Sequence, residues 1–261
     1  GHVGRPELRR SLARTLADSL ESPACAADAP AASLEALAPR PAAGVLAIPD
    51  TGAWGDLRRE PLLEAMRRAR ITRRMLAWRP VLACLGGCGS DMPDRTSLGV
   101  ITHEPEGFGV QTLTLRRGAV TAPERSREGR LVQSALGYRG LAESALTALL
   151  EAAGSSPWAA RPLGASGLAE RIALGEPPER TLVRLDNGDW LELEPPAFDP
   201  AVAMPALPAE AFSGCGKLFL ETKAIGIVGD RVQSAVERAL GRAVERLPPT
   251  AVADGALVAA R

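Results

Sequence analysis

Apolar residues recur along this chain with two different periods, and the switches between them predict most of its elements. Leu8, Leu12 and Leu16 recur at the spacing of one helix face. From Glu21 to Pro41 that rhythm dissolves into Ala, Pro and Ser, which predicts a linker around a short helix at Ser33–Leu37. Gly44–Ile48 is an unbroken apolar run stopped by Pro49, a short strand, and Asp50–Gly55 is a loop. Glu60–Arg70 sets Leu62, Leu63, Met66 and Ala69 on one stripe with its arginines elsewhere, an amphipathic helix. Arg74–Trp78 reads as a second strand. Pro80 then opens an apolar helix through Leu85, where a missing N–H costs nothing, and Gly86, Gly87 and Gly89 end it.

Leu98–Thr102, Val110–Leu115 and Ala119–Ala122 read as three successive strands, the last two joined at Arg117-Gly118. Gly129–Ala153 reads as a long helical region broken near Gly137 and Gly140, and Leu168–Leu174 as a short helix. Thr181–Leu185 and Trp190–Leu193 flank Asn187-Gly188, the strongest hairpin signal in the chain. After the Pro-rich connection Pro195–Pro208, Ala224–Val228 reads as a strand. Arg231–Leu240 is a helix carrying Val232, Val236 and Leu240 on one face. Ala243–Arg246 is short and extended, and Val252–Ala260 is a closing helix. This order predicts an α/β fold with a smaller inserted unit. The expected partition is an N-terminal helix and linker over 3–43, a first α/β portion over 44–129, a mainly helical insertion with its hairpin over 130–215, and a completing α/β segment over 216–261.

Composition narrows the function classes. The chain has 261 residues, 46% of them apolar, enough for a sizeable core. Its 31 Lys+Arg balance 31 Asp+Glu, so no whole-protein basic field draws it to nucleic acid. Aromatic residues make up only 3% of the chain, too few for base-stacking platforms. No apolar run approaches the ~20 residues of a membrane span. Cys25, Cys84, Cys88 and Cys215 are too sparse for a disulfide scaffold, so the expected compartment is the reducing cytoplasm. Cys84 and Cys88 share a helix face, but His103 and His2 are the only histidines, so no metal site is expected.

Several segments together resemble the actin-like ATPase superfamily, and most of all the nucleotide-binding domain of its DnaK-type heat-shock-chaperone branch. Val45-Leu46-Ala47-Ile48-Pro49 is similar to that family's "V-I-T-V-P" strand, and Trp78–Leu85 to its connecting helix "N-E-P-T-A-A-A-L". Leu98–Leu115 sits where the second phosphate loop and its hairpin belong. Ile225-Gly226-Ile227-Val228-Gly229 with Val232–Val236 resembles the adenosine motif, and Val252-Ala253-Asp254-Gly255-Ala256 the closing "A-V-A-x-G-A-A" helix. Over residues 44–261 the resemblance implies a two-lobed fold binding ATP or ADP with Mg²⁺ in a cleft.

The parts that hydrolyse ATP are eroded. Phosphate is cradled by close-packed backbone N–H groups that only glycine lets approach, and carboxylates position Mg²⁺ and water. No D-x-G-T loop precedes Val45, so the first phosphate hairpin is missing from the pattern. The second, expected as D-x-G-G-G-T, reads Thr102-His103-Glu104-Pro105-Glu106-Gly107-Phe108-Gly109. Only Gly107 and Gly109 remain of it, Pro105 removes a donor, and Glu104 and Glu106 repel phosphate. The connecting-helix Glu is Arg79, and the adenosine Gly pair is Gly229-Asp230. Glu170 matches a family Glu near adenine, without the basic residues beside it. Asp50, Thr51 and Asp56 follow the first strand at a carboxyl end, where α/β folds usually bind ligands.

Each polar group also has a plain reading. Glu104 and Glu106 read as a solvated hairpin tip and His103 as a surface histidine. Gly214-Cys215-Gly216-Lys217 fails the phosphate-loop pattern, and Cys215 reads as a structural thiol. The expected cofactor residues are therefore Asp50, Thr51, Gly107, Gly109, Glu170, Gly229 and Asp230, with no catalytic or metal residue. The expected function is a non-catalytic scaffold, regulatory or chaperone-like interaction module. The alternatives are an ATPase completed by another segment or a partner, and a small-molecule-binding domain using the cleft. A fold lacking its first hairpin leaves a sheet edge open, so a protein partner or homodimer is expected.

Overall fold

The structure is a computed structural model that describes Leu34 and residues 43–48, 56–87, 94–117, 121–125, 129–152, 162–163, 165–176, 181–185, 190–193, 198–200 and 203–259. It is a mixed α/β fold. The largest sheet has the strand order β11-β10-β3-β4-β5, with β6 (Arg130–Gln133) also pairing β4. Its members are β3 (Ser97–Glu104), β4 (Gly107–Arg117), β5 (Thr121–Arg125), β10 (Lys217–Glu221) and β11 (Glu245–Arg246). It is a mixed sheet: β10 runs parallel to β3 and β11, while β4 and β5 are antiparallel. The chain divides into two compact units, one of residues 1–97, 111–130 and 250–261, the other of 98–110 and 131–249.

The first unit begins with a strand–helix–strand crossover. β1 (Ala43–Ile48) and β2 (Arg73–Trp78) pair in parallel from Ala43↔Arg73 to Ile48↔Trp78, and α1 (Asp56–Arg68) joins them. Of the apolar stripe expected on this helix Leu62, Met66 and Ala69 are buried and Leu63 is half-buried; Met66 and Ala69 form one cluster with Ala65, Leu34 and Ile71, against which Leu46 and Leu76 pack. Gly44 lies under Met66, where a β-carbon would come 2.9 Å from its methyl. α2 (Arg79–Gly87) follows and packs along α6 (Ala251–Ala259), the closing helix, which also meets β1.

The second unit is organised around β3. Every residue of this strand after Ser97 is buried, as expected of a strand paired on both sides. α3 (Tyr138–Ala152), α4 (Ala165–Ala173) and α5 (Gly226–Leu240) contribute Leu141, Ala145, Leu149, Leu168, Ile172, Val228, Val232 and Val236 to its core. From the sheet come Ile101, Phe108, Val110, Leu218 and Leu220. Burying each such side chain contributes about 1.5–3 kcal/mol before entropy is counted. A separate three-stranded sheet holds β7 (Pro162–Leu163), β8 (Thr181–Leu185) and β9 (Trp190–Leu193), all antiparallel, with the expected hairpin strands at their stated ends. Its Asn187-Gly188 turn lies outside the described residues, as do the N-terminal leucine helix, Cys25 and Cys88.

Two sequence expectations change. The strand expected at Ala224–Val228 is the start of α5, and the strand is Lys217–Glu221 instead. Ile225, extended at φ −120° and ψ 174°, is the helix N-cap, so Val228 joins the buried Val232 and Val236 on one helix face while Ile227 is turned out to solvent. The helical region expected from Gly129 begins with β6, because those residues pair with β4, and the helix starts only at Tyr138.

Candidate functional site

The polar groups of the second unit gather where β3 and β10 end. The two strands run in parallel register, Thr102 opposite Glu221, so their carboxyl ends lie side by side. This is the edge of an α/β sheet at which ligands usually bind. Residues alternate across the sheet, so Thr102, Glu104 and Glu221 share one face while His103 takes the other. Gly109 fits the first face: a β-carbon there would collide with the Thr102 hydroxyl oxygen and come 3.6 Å from the Glu104 Cγ. Glu104 and Glu221 are both buried, as are Thr102 and Thr222.

His103 is 0% exposed. Its Nε2 is 2.7 Å from the Leu136 carbonyl oxygen, and its Nδ1 is 2.9 Å from the Thr222 hydroxyl. A carbonyl only accepts, so Nε2 carries a proton, and in the neutral ring Nδ1 then accepts from the Thr222 hydroxyl. The Thr222 hydroxyl in turn accepts the Ala224 N–H at 3.1 Å. The imidazole stacks on Phe108 with centroids 5.2 Å apart, and the Tyr138 ring lies tilted at 3.9 Å. The Tyr138 hydroxyl accepts the Lys223 N–H at 2.7 Å. The segment between β10 and α5 is thus pinned by His103 and Tyr138. At its far end the Leu174 carbonyl accepts the Ile225 N–H at 2.8 Å.

The hairpin tip between β3 and β4 is closed by backbone. The Pro105 carbonyl accepts the Arg139 N–H and the Glu106 carbonyl the Ser134 N–H, each at 2.9 Å. Gly107, with φ +151°, has no room for a β-carbon against the Val132 carbonyl and the Ser134 nitrogen. Gly137 presses on the Gly107 nitrogen in the same way. Glu106 is solvent-facing and pairs with Arg139 at 3.2 Å. The expectation of a solvated tip therefore holds for Glu106 and is corrected for His103 and Glu104. β3 continues two residues beyond the expected end at Thr102, past its last pair with β10, and both residues are buried there.

The remaining expected residues fall in several places. Asp50 and Thr51 lie outside the described residues. Gly107 and Gly109 open β4. Glu170 is exposed on α4, whose C-terminal turn at Gly175 packs against Ile225. Gly229 and Asp230 lie inside α5, eight and nine residues after β10 ends at Glu221. Gly229 is buried, and a β-carbon would come 2.5 Å from the Ala224 carbonyl. Asp230 is exposed and pairs with Arg246 at 3.1 Å. The structure thus brings the end of the Glu170 helix to the start of α5. It does not place Gly229-Asp230 in the connection after β10, which is Thr222–Ile225.

Sequence reasoning missed Thr222 and Tyr138. The available signal was that Tyr138 is the chain's single tyrosine, one residue after Gly137. Cys84 and Cys215 are both buried, as expected of structural cysteines. Among the described residues no group of three His, Cys, Asp or Glu side chains is placed to hold a metal ion. No described helix is long and apolar enough to cross a membrane. No family model matches the sequence, and no curated protein matches it significantly.

Proposed function

We propose that the chain is a degenerate member of the actin-like, heat-shock-chaperone ATPase group, two-lobed in plan, acting as a non-catalytic scaffold or regulatory interaction module in the cytoplasm. The observation that carries this reading is the packing at Gly107. A phosphate cradle needs backbone N–H groups standing open toward the ligand. Here the Gly107 nitrogen lies under Gly137, and its Cα faces the Val132 carbonyl. Glu104 is buried at the strand end before the tip and Glu106 stands exposed at the tip, so two carboxyl groups flank the place an anion would take. The family likeness rests on the strand–helix–strand–helix start, the β3–β4 hairpin, and the strand–helix–strand–helix close. These are core elements that survive when a site is lost.

The test is calorimetric titration of the purified chain with ATP and ADP in the presence of Mg²⁺, paired with a malachite-green assay of phosphate release. The expected result is weak or no binding and no turnover above background. Glu104→Ala and Glu106→Ala then lower nothing and raise residual anion affinity. Turnover abolished by Asp50→Asn or Asp56→Asn would overturn the reading in favour of an ATPase completed by another segment or a partner. The interaction role predicts a dimer or hetero-complex, and a monomer at high micromolar concentration in sedimentation would count against it.

A further inference from the structure

We propose that His103 is a proton-operated latch on the segment joining β10 to α5, whether or not that segment meets a ligand. The latch follows from hydrogen-bond direction. In the neutral ring Nε2–H donates to the Leu136 carbonyl, Nδ1 accepts from Thr222, and the Thr222 oxygen stays open to the Ala224 N–H. Protonation puts an N–H on Nδ1 as well. The Thr222 oxygen has a lone pair for that N–H as well as for Ala224, but the Thr222 proton loses its acceptor and is left facing a donor. The new charge forms in a fully buried position between the rings of Phe108 and Tyr138. Opening the segment relieves both conflicts.

The ionisable groups on the surrounding elements do not replace this one. On β3 the neighbouring Glu104 points to the opposite sheet face, and on β10 Glu221 shares that opposite face through its register with Thr102. β4 presents Phe108, which does not titrate. The turn into α3 presents the Leu136 carbonyl and the Tyr138 ring, whose hydroxyl is bound to the Lys223 N–H. Glu106 and Arg139 pair with each other at the exposed tip. From the β10–α5 segment Lys223 contributes its backbone N–H to Tyr138. Of the side chains in contact with the latch, imidazole is the one whose ordinary titration range lies near neutrality, around pH ~6.5.

Hydrogen exchange across a pH series, corrected for the intrinsic rate, tests the latch on the full chain. Opening that takes up one proton is favoured by acid. Amide protection over residues 222–228 is therefore flat above pH ~6.5 and falls by up to about tenfold per pH unit below it. In His103→Gln, whose amide can meet both partners without titrating, the same residues show no such slope. A flat profile in the wild type, or the same slope in His103→Gln, overturns the latch. Should that variant not fold, the ring nitrogens of the wild type decide, since the chain has only two histidines to assign. Neutral Nε2–H signals that convert to imidazolium in step with lost protection support the latch, and protection lost while the ring stays neutral overturns it.

Discussion

Gly86 of α2 and Gly255 of α6 lie backbone to backbone, and neither position has room for a side chain. A β-carbon on Gly86 would come 2.5 Å from the Gly255 nitrogen, and one on Gly255 would collide with the Leu82 carbonyl. The obstructing atoms are main chain, so no rotamer change relieves them. Replacing either glycine by alanine is expected to destabilise the first unit by about 1–3 kcal/mol or more, measured by urea denaturation. The double replacement is expected to cost less than the sum of the two, because the helices need to separate only once.

Gly107 and Gly226 separate backbone conformation from crowding. Both have positive φ, but a β-carbon on Gly226 meets nothing within 4 Å, whereas one on Gly107 meets the Val132 carbonyl. Gly226→Ala is expected to cost about 1–2 kcal/mol, the left-handed penalty alone. Gly107→Ala is expected to cost clearly more in the same denaturation assay, with nucleotide affinity unchanged.

Tyr138→Phe removes the acceptor of the Lys223 N–H and keeps the ring beside His103. The expected loss is about 1–3 kcal/mol, the cost of leaving a donor without its partner. Faster exchange at Lys223 than at α5 would place the effect in the connection; unchanged stability would show that water replaces the bond.

Glu64 supplies the pH dependence. Hydrogen bonds from Arg67, then Arg68, hold its carboxyl at about 2, below its ordinary 4.5. A depressed value means the stabilisation is present above the ordinary carboxylate range and is lost as pH falls toward the folded one. The melting temperature of the wild type should exceed that of Glu64→Gln slightly at neutral pH, and the gap should close between about pH 4.5 and pH 2. The groups are exposed, so added salt is expected to narrow the gap as well. Calorimetric scans at low and high salt check both.

Cys84 and Cys215 are buried at 2% and 5% exposure. Thiol-reactive reagent followed by peptide mass spectrometry is expected to leave both unlabelled in the native protein and to label both in denaturant. Rapid native labelling of Cys215 would contradict its structural role.

The periodic segments were legible in the sequence because local pattern and burial agree there. β1, β2, α1, α2, the β8–β9 hairpin strands and α6 each follow from a run of apolar residues at one spacing with a Gly, Pro or Asn-Gly boundary. Three features came only from tertiary pairing. Lys217–Glu221 is a strand because β3 and β11 flank it, although Ile225–Val228 carries the stronger β-branched signal. Arg130–Gln133 is a strand because β4 lies beside it. His103 and Glu104 are buried although β3 has already passed its last pair with β10, His103 being enclosed by Leu136, Thr222, Phe108 and Tyr138, while Glu106, two residues later, stands in water. A residue's own neighbours in sequence determine its preference for helix or strand. Which strand is central, and which polar side chain must find its partner inside, depends on residues as distant as Leu136 and Thr222 from His103, and only the folded chain brings those together.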